Sequence, residues 1–308
     1  YKSKSGNSNR KGNVRGDFMD RLRRTMLFIP GNNPNMLQNA GILGADSVIL
    51  DLEDAVSITE KDAARILVKN AIEDIDFYDT EIVVRINPLS SDFGIEDIEE
   101  IAKVQPDALM VAKATEEDVR TACEMLTKIE EKEGFELGSI KLFPLIETAY
   151  GLENVYSIIK SSDRVIGVLL GAEDLTADLE VKRTAEGKEI FYARCKIAAT
   201  CKACRIDAID TPFADMNNYE GFKKDIYTAK SLGMTGKAAI NPRQIDTIHE
   251  IFAPSEDEIK YAKAVIGAMD EAKKQGKGVF SLYGKMIDAP IIMRAQNVVK
   301  KARLSGLL

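Results

Sequence analysis

Two short apolar runs, Lys141–Ile146 and 165–170, set most of the limits on what this chain can fold into. Both are rich in branched residues, neither alternates with polar ones, and turn residues bound each. Strands buried on both faces read this way. Between them, residues 148–160 carry apolar side chains at helical spacing. Strands joined through a helix are parallel, because only a crossover returns the chain to the same edge of the sheet. Glu147 follows the first run, and Glu173 and Asp174 follow the second. Parallel α/β folds present the carboxyl ends of their strands to ligands. These carboxylates are therefore expected to converge on one hard cation.

The same alternation runs along the chain. Strands are expected at 25–29, 47–50, Glu81–Ile86, 108–112, Lys141–Ile146, 165–170, 207–209 and 237–240. Helices are expected at 34–43, 60–72, 94–104, Glu116–Glu133, 148–160, 190–202, Tyr219–Leu232 and 244–252. That pattern predicts an α/β fold, a closed (β/α)8 TIM barrel over residues 21–252. Two more helices follow, 255–276 and 291–302, with a loop or short strand at 276–284 between them. The first opens on a capping box, Ser255 with Glu258. They make a C-terminal helical extension over 253–308, expected at a subunit interface, and hence a homo-oligomer. Residues 1–20 are basic and nearly free of apolar side chains, which reads as a disordered tail, with Met19 as an alternative start.

A chain of 308 residues holds a barrel of roughly 250 residues and its extension. The formal net charge of −7 disfavours nucleic acid as a partner. No apolar run approaches the ~20 residues that cross a bilayer, and no signal-peptide core is visible, so no membrane is expected and the chain reads as cytoplasmic. Cys201 and Cys204 form a CxxC pair, but it lies within an expected helix. With Cys195 and Cys123 it does not make a compact four-ligand zinc site. The single histidine, His249, falls in a helix beyond the last strand and reads as a packing residue. A Ser-His-Asp triad and a His-rich metal site are therefore disfavoured.

The polar groups at the strand ends are Asp51, Glu53, Asp54, Arg85, Asn87, Lys113, Glu147, Glu173 and Asp174. Several carboxylates without an imidazole suit Mg²⁺ or Mn²⁺. The Arg85 guanidinium fork matches a substrate carboxylate. A metal beside such a clamp suits a 2-oxo or 3-hydroxy acid, because it polarises a carbonyl and stabilises an enolate. Lys113 at a strand end invites a Schiff base, yet the acids around it oppose the depressed pKa this needs, so an ion pair is the expected role. The turn from Gly171 to Leu175 is expected to expose backbone N–H groups to a carboxylate. The turn at Pro30–Gly31 is expected to wall a pocket.

Several motifs occur together and in order: Leu27-Phe28-Ile29-Pro30-Gly31, Leu50-Asp51-Leu52-Glu53-Asp54-Ala55-Val56, Arg85-Ile86-Asn87, Leu145-Ile146-Glu147-Thr148-Ala149, Gly171-Ala172-Glu173-Asp174-Leu175, Gly236-Lys237-Ala238-Ala239-Ile240-Asn241-Pro242 and Lys285-Met286-Ile287-Asp288-Ala289-Pro290. Over residues 24–302 the chain resembles the citrate lyase β-subunit family, within the HpcH/HpaI aldolase group. The resemblance implies a Mg²⁺-dependent carbon–carbon lyase that cleaves a citryl thioester to oxaloacetate and an acetyl thioester. The thioester would be carried on an acyl carrier protein or on free CoA, with transferase subunits as partners and a trimer or larger homo-oligomer. By the same resemblance Glu147 and Asp174 bind Mg²⁺, with Glu147 also catalytic, and Arg85 clamps the substrate. Gly171, Ala172 and Glu173 contact substrate, while Asp51, Glu53, Asp54 and Lys113 support the site. Asp288 is catalytic and comes from a neighbouring subunit. Lys237, Asn241 and Pro242 border the thioester arm. Malyl-CoA or citramalyl-CoA lyase, a thioesterase, and a non-catalytic assembly subunit stand as the alternatives.

Overall fold

A computed structural model of the protein describes residues 21–274 and 280–308. The tail expected at 1–20 and residues 276–279 of the expected loop lie outside the described residues. Eight strands close a parallel barrel in chain order: β1 Thr25–Pro30, β2 Ser47–Asp51, β3 Glu81–Ile86, β4 Ala108–Val111, β5 Lys141–Ile146, β6 Gly167–Leu170, β7 Asp207–Asp210 and β8 Gly236–Ala239. Helices surround it: α1 Pro34–Asn39, α2 Lys61–Asp74, α3 Gly94–Ile101, α4 Glu116–Glu133, α5 Ala149–Glu153, α6 Val155–Lys160, α7 Ala172–Asp178, α8 Phe191–Cys204, α9 Tyr219–Leu232 and α10 Ile245–Phe252.

Both faces of the barrel wall are apolar. Met26, Ile49, Val83, Phe143, Leu169 and Ile209 pack inside it, while Leu27, Leu50, Val84, Ile146 and Leu170 pack outward under the helices. This double burial is why the strands read as continuous apolar runs. The expected strand at 165–170 is shorter, because Val165 makes only an isolated bridge to Leu142. The helix expected at 148–160 is two helices that meet at Asn154. The stretch from Gly171 to Leu175 is the start of α7 rather than a turn.

Beyond the barrel lie α11 Glu256–Lys274, the antiparallel strands β9 Phe280–Leu282 and β10 Lys285–Ile287, and α12 Ala289–Leu304. The capping box is present: Ser255 N donates to Glu258 Oε2 at 2.8 Å, and Glu258 N donates to Ser255 Oγ at 3.2 Å. Ala262, Val265, Ile287 and Ala295 give this extension its own apolar cluster. His249 sits at the amino end of the barrel, 2.9 Å from Thr25 Oγ1, as a packing histidine. All four cysteines are free thiols, and burial pushes the Cys201 thiol well above its ordinary range. No helix among the described residues is long and apolar enough to cross a membrane.

Candidate active site

A cavity of about 590 Å³ opens at the carboxyl ends of the strands, among Asp51, Asp54, Arg85, Glu147, Gly171 and Asp174. Register builds its first wall. Asp51 and Arg85 are direct partners on β2 and β3. Their side chains pair through two bonds, Arg85 Nε and Nη2 to the two Asp51 oxygens, each 2.6 Å. Arg85 Nη1 reaches Glu53 at 2.8 Å and Asp54 at 3.2 Å, and the guanidinium lies 5.0 Å from the Phe28 ring centroid. The fork expected for a substrate carboxylate is therefore spent on Asp51. Arg85 lines the cavity with its guanidinium ringed by Asp51, Glu53 and Asp54.

The acidic loop after β2 is held from behind by a residue the sequence reading missed. Lys61 at the start of α2 donates Nζ to Leu52 O at 2.8 Å and to Glu53 O at 2.7 Å. Its signal was a lysine opening a helix just after a run of strand-end acids. Asn87 turns away from the cavity onto Leu52 O and Asp97. Gly31 packs on the same loop, where a Cβ would fall 2.5 Å from Asp51 O.

The facing wall carries the two expected metal ligands. Glu147 follows β5 and is almost completely buried. Its Oε1 accepts the Lys113 N–H at 2.8 Å. Lys113 itself sits in the left-handed region, at φ 49°. Asp174 lies in the first turn of α7, and the Lys113 ammonium approaches it to 3.7 Å. One residue thus touches both acids, one by its backbone and the other by its side chain. Gly171 packs against Glu147 so closely that a Cβ there would lie 2.7 Å from Oε2. Glu173 lines the rim and is mostly exposed, with Arg183 Nε 3.5 Å away.

Burial pushes the Glu147 carboxyl up to about 8, and the nearby Glu53 and Asp174 charges add to the rise. Burial likewise moves Glu53 up to about 7 against the pull of Arg85. Acids this crowded lack positive charge, and a divalent cation supplies it. Among the described residues no group of three or more His, Cys, Asp or Glu is arranged around a single metal position. Two carboxylates fit Mg²⁺, which keeps waters and takes further oxygens from substrate. They do not fit a fully caged zinc or calcium.

Two further expectations change. Lys237 does not border a thioester arm. It is fully buried outside the barrel wall, and Nζ donates at 2.6 Å to each of Asp210 Oδ2, Asp225 Oδ2 and Thr211 O. The N–H groups of Gly171 and Ala172 are not open to a ligand, because they donate to Ile146 O and Thr211 Oγ1. Asn241 caps the short 3-10 helix Pro242–Gln244 by accepting from Arg243 N, so its amide oxygen is engaged. Asn241 and Pro242 stand half-buried next to Ile240, which lines the cavity. Asp288 is the exposed N-cap of α12, away from the cavity of its own chain. The sequence reading also missed Thr211, Pro212 and Ile240 as cavity walls.

The family model for HpcH/HpaI aldolase/citrate lyase matches residues 24–242. Citrate lyase subunit beta of Leuconostoc mesenteroides subsp. cremoris is 44% identical over 290 residues, spanning 94% of this chain and 96% of its own length. Mitochondrial citramalyl-CoA lyase of Homo sapiens is 34% identical over 296 residues, spanning 91% of this chain and 85% of its own. The solved structure of CitE from Mycobacterium tuberculosis in complex with magnesium, acetoacetate and coenzyme A has a TM-score of 0.76 at 27% identity. It covers 93% of this chain and 99% of that one.

Proposed function

Because the chain belongs to the HpcH/HpaI aldolase/citrate lyase family, we propose that it is a carbon–carbon lyase that cleaves a citryl thioester to oxaloacetate and an acetyl thioester. One observation carries the reading: Glu147 and Asp174, from neighbouring strand ends, line one cavity with Arg85 and are both touched by Lys113. The higher identity to a citrate lyase β subunit than to a citramalyl-CoA lyase favours citryl over citramalyl. The magnesium, acetoacetate and coenzyme A of the M. tuberculosis structure are in keeping with a metal, an oxo acid and a thioester carrier here.

Glu147 and Asp174 would hold Mg²⁺. Bound there, the ion supplies Lewis acidity that lowers the pKa of the substrate hydroxyl. A substrate carboxylate would displace Asp54, the more exposed and more distant of its acid partners, from Arg85, while Asp51 and Lys61 fix the position of the guanidinium. A carboxylate base takes the hydroxyl proton, the bond from the carbinol carbon to the thioester methylene breaks, and its electron pair enters the thioester enolate. Reprotonation of that carbon gives the acetyl thioester, and the carbinol becomes the ketone of oxaloacetate. We assign the base to Asp288 of a neighbouring copy, since the extension holds it at an exposed N-cap. The acyl carrier protein and transferase subunits of a citrate lyase complex, a homo-oligomer and a cytoplasmic setting belong to this proposal.

Oxaloacetate release coupled to malate dehydrogenase tests it, with citryl, citramalyl and malyl thioesters compared and CoA set against acyl carrier protein. Glu147→Gln and Asp174→Asn should each abolish Mg²⁺-dependent release. Full turnover in either variant overturns the metal assignment, and preference for citramalyl-CoA overturns the substrate.

A further inference from the structure

We propose that Thr211, and Lys237 acting through it, are positioning residues for the cation-binding side chain Asp174. The inference rests on the metal reading given above. Ala172 is the first residue of α7, and Asp174 lies two residues further on. The start of this helix is suspended between two strands. Gly171 N donates to Ile146 O on β5 at 2.9 Å, and Ala172 N donates to Thr211 Oγ1, just past β7, at 3.2 Å. Where Asp174 sits in the cavity thus depends on where Thr211 holds the helix.

Thr211 is itself anchored. Its carbonyl accepts from Lys237 Nζ at 2.6 Å. The same ammonium binds Asp210 and Asp225, and Arg194 reaches both acids at 2.6 to 2.8 Å. Two cations meet two carboxylates, so the cluster is neutral, and Lys237, Asp210 and Arg194 are at most 1% exposed. Saturated polar networks in a low-dielectric interior are stiff. This one ends at a residue that lines the cavity. The buried charges are therefore more than a brace between β7, β8, α8 and α9, since they fix the carbonyl of the same residue whose hydroxyl holds the ligand-bearing helix.

Thr211→Val keeps the shape and deletes the acceptor, while Thr211→Ser keeps the acceptor. The test is calorimetric titration of MgCl₂ into the metal-stripped full chain. Loss of a partner behind a metal ligand costs about 10- to 100-fold in affinity. Thr211→Val should bind Mg²⁺ at least ~10-fold more weakly, and Thr211→Ser should bind as wild type. The Mg²⁺ concentration that gives half-maximal turnover should rise by the same factor in Thr211→Val. A purely structural threonine would lower the melting temperature and leave Mg²⁺ affinity alone, and that result overturns the inference. So does a Thr211→Ser variant as weak as Thr211→Val. If Thr211→Val does not fold, the same titration on Lys237→Met/Asp225→Asn decides, because that pair leaves one cation facing one carboxylate. Weakened Mg²⁺ binding there supports the role, and unchanged binding overturns it. A wild type that binds no Mg²⁺ overturns the metal reading and this inference with it. A wild type that binds, beside a Thr211→Val that binds equally, overturns the positioning role alone.

Discussion

Gly171→Ala puts a methyl group where Glu147 already stands. A Cβ at position 171 would lie 2.6 Å from Glu147 Cβ, 2.7 Å from its Oε2 and 3.4 Å from Leu145 Cδ1. Carbon atoms settle at about 3.5–4.0 Å, so one partner must move by roughly 1 Å. The backbone at 171 has φ −92°, outside the left-handed region, so the effect is steric rather than conformational. Neither side gives easily: Glu147 is 3% exposed and held by the Lys113 N–H, and Gly171 N is tied to Ile146 O. Overpacking of this kind costs about 1–3 kcal/mol. For a chain of 308 residues that lowers the melting temperature by roughly 1.5–5 °C. A catalytic group misplaced by about 1 Å costs on the order of 100-fold in rate. The assays are thermal unfolding and Mg²⁺-dependent oxaloacetate release from a citryl thioester. An alanine variant with wild-type turnover and wild-type Mg²⁺ requirement would mean that Glu147 does no chemistry at this wall.

Other perturbations separate the site from its supports. Arg85→Lys keeps one positive charge but loses the two-bond pairing with Asp51, and should lower kcat/KM by about 100-fold or more in the same coupled assay. Lys237→Met leaves Asp210 and Asp225 to share Arg194, and should cost about 3–5 kcal/mol in urea unfolding, as breaking a buried ion pair does. Lys113→Met at the half-exposed mouth should cost under about 1 kcal/mol by the same measurement. Glu189 reports on acid stability. Burial would raise its carboxyl, but the Thr184 N–H and hydroxyl and Arg183 hold it down to about 2, from an ordinary 4.5. Its folded pKa is depressed, so its stabilisation is full above about pH 4.5 and is lost as the pH falls toward 2. The stability gap between wild type and Glu189→Gln, followed by unfolding across pH, should close over that window.

The strands and the acids at their ends were legible because parallel strands buried on both faces leave uninterrupted apolar runs, and a polar residue marks where each run stops. Glu81–Ile86 and Lys141–Ile146 fall where the runs place them. The start of α7 reads as a turn in sequence because the seven residues Ala172–Asp178, just after Gly171, carry too little helical period to show. Lys61 and Thr211 were passed over because their tasks are backbone contacts, which leave no pattern in side-chain chemistry.

The sequence by itself determined the barrel, the acidic character of its carboxyl face and the absence of imidazole chemistry there. Only the tertiary structure decided which strand-end charges face the cavity. Asp51–Arg85 and Asp210–Lys237 are both acid–base partners in register across neighbouring strands. The first pair continues the inward parity of Ile49 and Val83 and lines the site. The second alternates with Ile209 and Ala238, points outward and is sealed under the helices. Side chains alternate along a strand. When both faces of the wall are apolar, that alternation leaves no trace in composition, and closure of the barrel alone tells inside from outside.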